Sequence, residues 1–256
     1  MGNPAPISFG GAPPIGADFV EKIITIDNLR NFAYYNDKIC KTSVRGIVLS
    51  FFGLGGSSMF SDETDMGRAY AKEGVLFLVP YYNPWAWMNR QTVDYVDELV
   101  DLLFEAYGLR EDLPIVSTGG SMGGLSALVY TAYAKRTPVS CVASCPVCDL
   151  PYHFTERPDL PRTLYSAFGG YSGSFEDALR SASPLHLVDK MPESTAYYLF
   201  HCEADKAVNK ELHSDRFVEA MRQRHNVTYY SVPDRGHCDL GKQQLLYDEL
   251  TLKHIG

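Results

Sequence analysis

Basic residues are the scarcer sign of charge: 23 Lys and Arg stand against 31 Asp and Glu, for a formal net charge of −8. Holding a phosphate backbone requires clustered Lys and Arg, so no nucleic-acid partner is expected. No apolar run approaches the ~18 residues that span a bilayer, and no membrane partner is expected either. The opening MGNPAPISFGGAPPIGADF offers neither the basic n-region nor the apolar h-region of a secretion signal. Pro6 stands where myristoylation calls for Ser or Thr. The expectation is a soluble, cytoplasmic protein. Cysteine is sparse, six residues in 256, and the chain is large enough to fold without staples, so reduced thiols are expected. Cys145-Pro-Val-Cys148 is the one close pair, and no second pair follows to complete a zinc set. G-x-G-x-x-G and the lysine of a P-loop are both missing, which excludes a nucleotide on motif grounds. Neither metal nor organic cofactor is expected.

What is present is an alternation. From residue 44 onward, short β-rich runs take turns with longer amphipathic ones, the pattern of parallel strands joined by crossover helices. The strand candidates are residues 45–52, 74–82, 113–118, 139–145, 196–202 and 227–232. Helices are predicted over SDETDMGRAYAKE, QTVDYVDELVDLLFEAYG, MGGLSALVYTAYAKR, NKELHSDRFVEAMRQRH and QQLLYDELTLKHI. In the second, Val93, Val96, Leu99, Val100, Leu103 and Phe104 form one apolar stripe, with the acidic residues assigned to a solvated opposite face. FVEKIITIDN and NFAYYND add one or two antiparallel edge strands. Roughly fifty residues, 146–195, separate two strands and are too rich in Pro, Gly and aromatics for a plain crossover, so a small cap or lid is expected there. The whole reads as one α/β domain, 1–256, with a mostly parallel central sheet and helices on both faces.

TGGSMGG, Thr118 to Gly124, lies between a predicted strand and a predicted helix. Gly119-Gly120-Ser121-Met122-Gly123 fits G-x-S-x-G, the sharp strand-to-helix turn that presents a serine hydroxyl. A serine attacks poorly unless a base takes its proton and a carboxylate orients the base. In an open parallel sheet such partners sit on loops after strands. Two loops supply them: Glu203-Ala204-Asp205 after strand 196–202, and Asp234-Arg235-Gly236-His237 after strand 227–232. His237 is the base. Asp205 is preferred as the acid because it opens the connection to the next helix, with Glu203 and Asp234 as competitors. His201 falls inside a predicted strand and reads as a core histidine; His153, His186, His213, His225 and His254 lack a comparable setting. Donors for a developing oxyanion are assigned to the N–H groups of Met122, just after the serine, and Leu54, in the glycine-rich loop 52–56.

These residues, with Ser183-Pro184-Leu185, HCEADKAV (201–208), SDRFVEAMRQR and VPDRGH, resemble the catalytic domain of the prolyl oligopeptidase type within the α/β-hydrolase superfamily. The resemblance spans roughly residues 44–254. In that family the stretch matching 201–208 reads His-Gly-x-x-Asp-x-x-Val with the aspartate as triad acid, which falls on Asp205. Cys202 replaces the family glycine, and Cys238 follows the histidine. Family peptidases offer a tyrosine hydroxyl near the position of Leu54 and carry a large propeller where this chain has residues 1–43. Both departures turn the expectation from peptidase to esterase.

The sequence therefore points to a serine carboxylic-ester hydrolase acting on a small-molecule ester. Acylated carbohydrates enter as candidates through Tyr81, Tyr82, Trp85 and Trp87, aromatics that suit a sugar ring or a packing role equally. An exopeptidase or amidase on the same triad, a hydrolase-like binding protein without turnover, and acyl transfer to an alcohol other than water are the competing readings.

Overall fold

The computed structural model describes residues 23–56, 59–60 and 64–255. The first residues of FVEKIITIDN and SDETDMGRAYAKE lie outside them. Seven strands form one sheet: β1 (Ala33–Tyr35), β2 (Gly46–Phe51), β3 (Val75–Pro80), β4 (Ile115–Gly120), β5 (Ser140–Ser144), β6 (Ala196–Cys202) and β7 (Val227–Val232). Their order is β1-β3-β2-β4-β5-β6-β7. Among the described residues only the β1–β3 pair is antiparallel, so the described part of the N-terminal region supplies one edge strand. β5 and β6 are buried along their whole length, as expected for strands covered on both faces.

One face carries α2 (Arg90–Tyr107), α3 (Met122–Tyr133) and α7 (Arg216–Met221), together with three short helices between β5 and β6: α4 (Leu150–Glu156), α5 (Leu160–Phe168) and α6 (Phe175–Ser181). The other face is covered by α1 (Asp65–Lys72) and α8 (Gln244–Leu252). Residues 146–195, the cap segment, thus hold three short helices rather than a simple crossover. Among the described residues no helix is long and apolar enough to cross a membrane.

Helix α2 forms where the stripe predicts it. Asn89 caps its start by accepting the Thr92 N–H at 3.1 Å, and Val93, Val96, Leu99, Val100, Leu103 and Phe104 are all buried. Its acidic face is not wholly solvated, however. Asp97 is buried and accepts the Tyr130 hydroxyl at 3.0 Å and the Lys135 N–H at 3.2 Å. A buried carboxylate requires such donors, and these tie α2 to α3.

The register brings the strand ends level. Phe51 pairs with Gly119, Gly120 with Ser144, Ser144 with Phe200, and Cys202 with Val232. The loops that follow these strands therefore meet at one edge of the sheet, where open parallel sheets bind ligands.

Candidate active site

Ser121 joins β4 to α3 with φ 60° and ψ −126°, a conformation that L-residues rarely adopt. Its neighbours explain how the turn is accommodated. A Cβ at Gly119 would lie 2.5 Å from Gly123 O, and one at Gly123 would run into Phe51 O, so only glycine fits at either place. The Ser121 N–H is fixed by the Ser144 carbonyl at 2.9 Å. The turn is built to hold one side chain above the strand ends.

That side chain opens onto a pocket of about 490 Å³, lined by Gly53, Leu54, Gly120, Ser121, Arg157, Ala207, His237 and Cys238. Gly53 stands beside the serine: a Cβ there would be in ordinary contact with Ser121 Cβ, at 3.8 Å. The Leu54 N–H makes no hydrogen bond among the described residues, and Met122, as the first residue of α3, has no intrahelical acceptor for its own. Neither assigned oxyanion donor has an acceptor among the described residues.

His237 Nδ1 lies 2.6 Å from Asp205 Oδ2. The other Asp205 oxygen accepts the Ala207 N–H at 2.8 Å and the Val208 N–H at 3.0 Å. Burial by itself would raise the Asp205 carboxyl, but the imidazoles of His201 and His237 and the two backbone donors overcome it and hold the group well below the usual carboxylate range. On His237 burial works to lower the basicity; the Asp205 carboxylate and, after it, the Cys145 sulfur more than offset it and raise the imidazole to about 9. Competing carboxylates are elsewhere: Glu203 accepts the Ser231 hydroxyl at 2.7 Å on the exposed edge, and Asp234 takes a left-handed φ of 56° in the β7 turn.

Ser121 Oγ and His237 Nε2 share the pocket without a hydrogen bond between them. Nε2 instead faces Cys238 Sγ at 3.8 Å. With Nδ1–H directed at Asp205, Nε2 is the nitrogen that gives up its proton, and it carries a free lone pair once the imidazole is neutral.

Tyr81, Tyr82, Trp85 and Trp87 do not border the Ser121 pocket among its described lining. Tyr82 is buried and stacks on Phe52 with ring centroids 4.4 Å apart. Trp87 is buried and donates Nε1–H to Thr163 Oγ1 of α5 at 3.0 Å, and Tyr81 Oη accepts the Phe60 N–H at 2.9 Å. Trp85 is exposed. Of these four, Tyr82 and Trp87 serve packing, one against the core and the other against the cap.

Two arrangements escaped the sequence. His201 is buried, as a core histidine should be, yet it also supports the acid, with Nε2 3.3 Å from Asp205 Oδ2 and Nδ1 2.6 Å from Ser214 Oγ. Farther out, Glu156 at the end of α4 joins His153 and His213, the latter at 2.8 Å, and accepts the Asn209 N–H at 3.2 Å. His213 Nδ1 accepts the N–H groups of Cys148 and Asp149 at 3.1 and 3.2 Å. This network fastens the cap to the loop that carries Asp205. Its histidines are sixty residues apart in sequence, and no local spacing signals the contact.

No protein-family model matches the sequence, and no curated protein matches it. Solved structures do resemble it. A Mycobacterium tuberculosis puromycin-hydrolyzing peptidase superposes with a TM-score of 0.66 at 17% identity, over 84% of this chain and 35% of that one. Thermogutta terrifontis esterase 2 gives a TM-score of 0.59 at 18% identity, over 88% of this chain and 89% of its own. Esterase B from Lactobacillus rhamnosis gives 0.61 at 14% identity, over 84% and 77%. The chain spans about a third of the length of the puromycin-hydrolyzing peptidase and most of each esterase. With its seven-stranded, mostly parallel sheet and its strained serine turn after β4, the chain has the α/β-hydrolase fold.

Proposed function

We propose that the chain is a serine hydrolase that cleaves carboxylic esters through an acyl-enzyme. The observation that carries the reading is a serine at φ 60° sharing a pocket with a histidine whose far nitrogen lies 2.6 Å from a buried carboxylate. In this reading the ester carbonyl enters between Ser121 and the Leu54 loop. Ser121 Oγ bonds to the carbonyl carbon as its proton passes to His237 Nε2, a contact that tightens once substrate is seated. The N–H groups of Leu54 and Met122 receive the oxyanion. Collapse breaks the ester bond, and the imidazolium gives its proton to the departing alcohol. Water then attacks the acyl-enzyme with His237 again as base, releasing the acid and restoring Ser121. Asp205 orients the ring and stabilises its charged form.

The aromatic loop gives no support to an acylated carbohydrate in particular, so the proposed substrate is a carboxylic ester without further restriction. A second reading, an amidase or exopeptidase on the same triad, draws on the overlap with the puromycin-hydrolyzing peptidase. Leu54, at the place where the resemblance expects a tyrosine hydroxyl, favours the ester. A paired assay separates the two. Nitrophenyl esters turned over faster than aminoacyl arylamides of matched leaving group support the esterase, and the reverse order supports the amidase. Ser121→Ala abolishes either activity.

A further inference from the structure

Three cysteines, 145, 202 and 238, gather near the acid and base, and the hydrolytic cycle uses none of them. Cys145 Sγ, Cys238 Sγ and a ring nitrogen of His237 all lie within 4.8 Å of one another. The nitrogen facing them is Nε2, 3.8 Å from Cys238 Sγ. A tetrahedral zinc with Zn–S of about 2.3 Å and Zn–N of about 2.1 Å has edges of roughly 3.6 Å (S···N) and 3.8 Å (S···S). The observed S···N separation is close to such an edge.

The surroundings are those of metal ligands. A metal-bound imidazole donates its second N–H to a carboxylate, which fixes its tautomer; His237 Nδ1 does this to Asp205 at 2.6 Å. Cys145 Sγ accepts the Cys238 backbone N–H at 3.3 Å, a donor of the kind that supports a metal thiolate. Cys145 and Cys238 hold left-handed φ values of 43° and 58°, which carry a conformational cost. In the other two His, Cys and carboxylate clusters among the described residues, His201 and His213 have both nitrogens engaged by protein groups.

We propose that Cys145, Cys238 and His237 Nε2 form a three-ligand site for a thiophilic divalent ion, zinc above all, and that filling it switches the hydrolase off. Two sulfurs and one imidazole select zinc over magnesium or calcium. Ligation needs both sulfurs as thiolates and Nε2 unprotonated, so whatever protons these three groups carry pass to solvent, and no oxidation state changes. The ion enters through the pocket that His237 and Cys238 line, and water fills the fourth position. The inhibitory half of the proposal rests on the hydrolase reading, because the metal takes the lone pair that Ser121 needs.

The test uses the full chain, chelator-treated, with thiols held reduced by a phosphine. Co2+ serves as the spectroscopic probe and Zn2+ as the inhibitor. The expected result is one Co2+ per chain with thiolate charge-transfer and tetrahedral ligand-field bands, displaced by Zn2+. Cys145→Ser and Cys238→Ser each weaken binding at least about tenfold, while Cys40→Ser leaves the spectrum alone. Ser121→Ala keeps every ligand, so its bands report the site whether or not the protein turns over esters. Bands on adding Co2+, together with no esterase activity in the metal-free native chain, sink the hydrolase reading and leave the metal site standing. The metal site is overturned by the absence of thiolate bands in folded, reduced protein, or by zinc inhibition that is equal in native and cysteine variants.

Discussion

His237 Nδ1 and Asp205 Oδ2 stand 2.6 Å apart, and the same carboxylate is held from behind by the N–H groups of Ala207 and Val208. The acid is therefore rigid and ionised before substrate arrives. Asp205→Asn exchanges an acceptor for a group that favours the wrong tautomer, and kcat should fall by roughly 10^3- to 10^4-fold with KM little changed. Glu203→Gln, on the exposed edge, should stay within about twofold of the native enzyme. Steady-state kinetics on one nitrophenyl ester decides between them. A larger loss for Glu203→Gln would move the acid.

The pH profile follows from the same pair. His237 works as a base only when Nε2 is unprotonated, and its imidazole is raised to about 9. In chelator-treated enzyme kcat/KM should climb with pH through an apparent pKa well above the ordinary histidine value of ~6.5. Asp205→Asn should move the midpoint down, since the negative partner is gone. A native midpoint at or below ~6.5 would contradict the assignment of the carboxylate as the dominant neighbour.

The serine turn carries a stability prediction. Alanine at Gly119 or Gly123 places a methyl group against backbone that cannot yield. Each should cost about 3 kcal/mol or more, a fall of about 10 °C in Tm for a chain of this size. Alanine at Gly170, where nothing lies within 4 Å of the added carbon, should leave Tm within a degree or two. Differential scanning fluorimetry on the three variants is sufficient.

Glu156 predicts how acid loosens the cap. Burial pushes its carboxyl upward, yet the imidazoles of His153 and His213 overrule this and hold it at about 2. A depressed carboxyl stabilises the fold above its unfolded pKa of about 4.3, and that contribution disappears as pH falls toward 2. Glu156→Gln should cost roughly 1–3 kcal/mol at neutral pH, and the gap between native and variant should close between pH about 5 and 2. Denaturant midpoints across that range measure it. A constant gap would mean that the carboxylate's charge contributes nothing.

Much of this architecture is legible in the chain itself. The six parallel strands, the stripe of α2 and the G-x-S-x-G turn are local patterns, set by periodicity and by glycines that sterics require. Asp205 and His237 could be found because strand ends in a parallel sheet converge, so a position after β6 and one after β7 become neighbours. The aromatics after β3 show the limit of that argument: Tyr82 and Trp87 follow a strand too, but nothing in their spacing reveals that Phe52 and Thr163 take up their rings. Asp97 is equally silent, since its inward turn depends on the Tyr130 hydroxyl across the helix interface. Cys145 is visible only as half of a C-x-x-C; its neighbours His237 and Cys238 follow β7, two strands away in the sheet but 93 residues on in the chain in the case of Cys238.

The most direct test of the central claim is to treat the folded protein with a fluorophosphonate and locate the adduct by mass spectrometry, beside Ser121→Ala. A single adduct on Ser121, formed faster as pH rises toward 9 and absent from the variant, is the predicted result. Folded, metal-free protein that stays unlabelled, or that carries the label on another residue, would show that Ser121 is not an activated nucleophile.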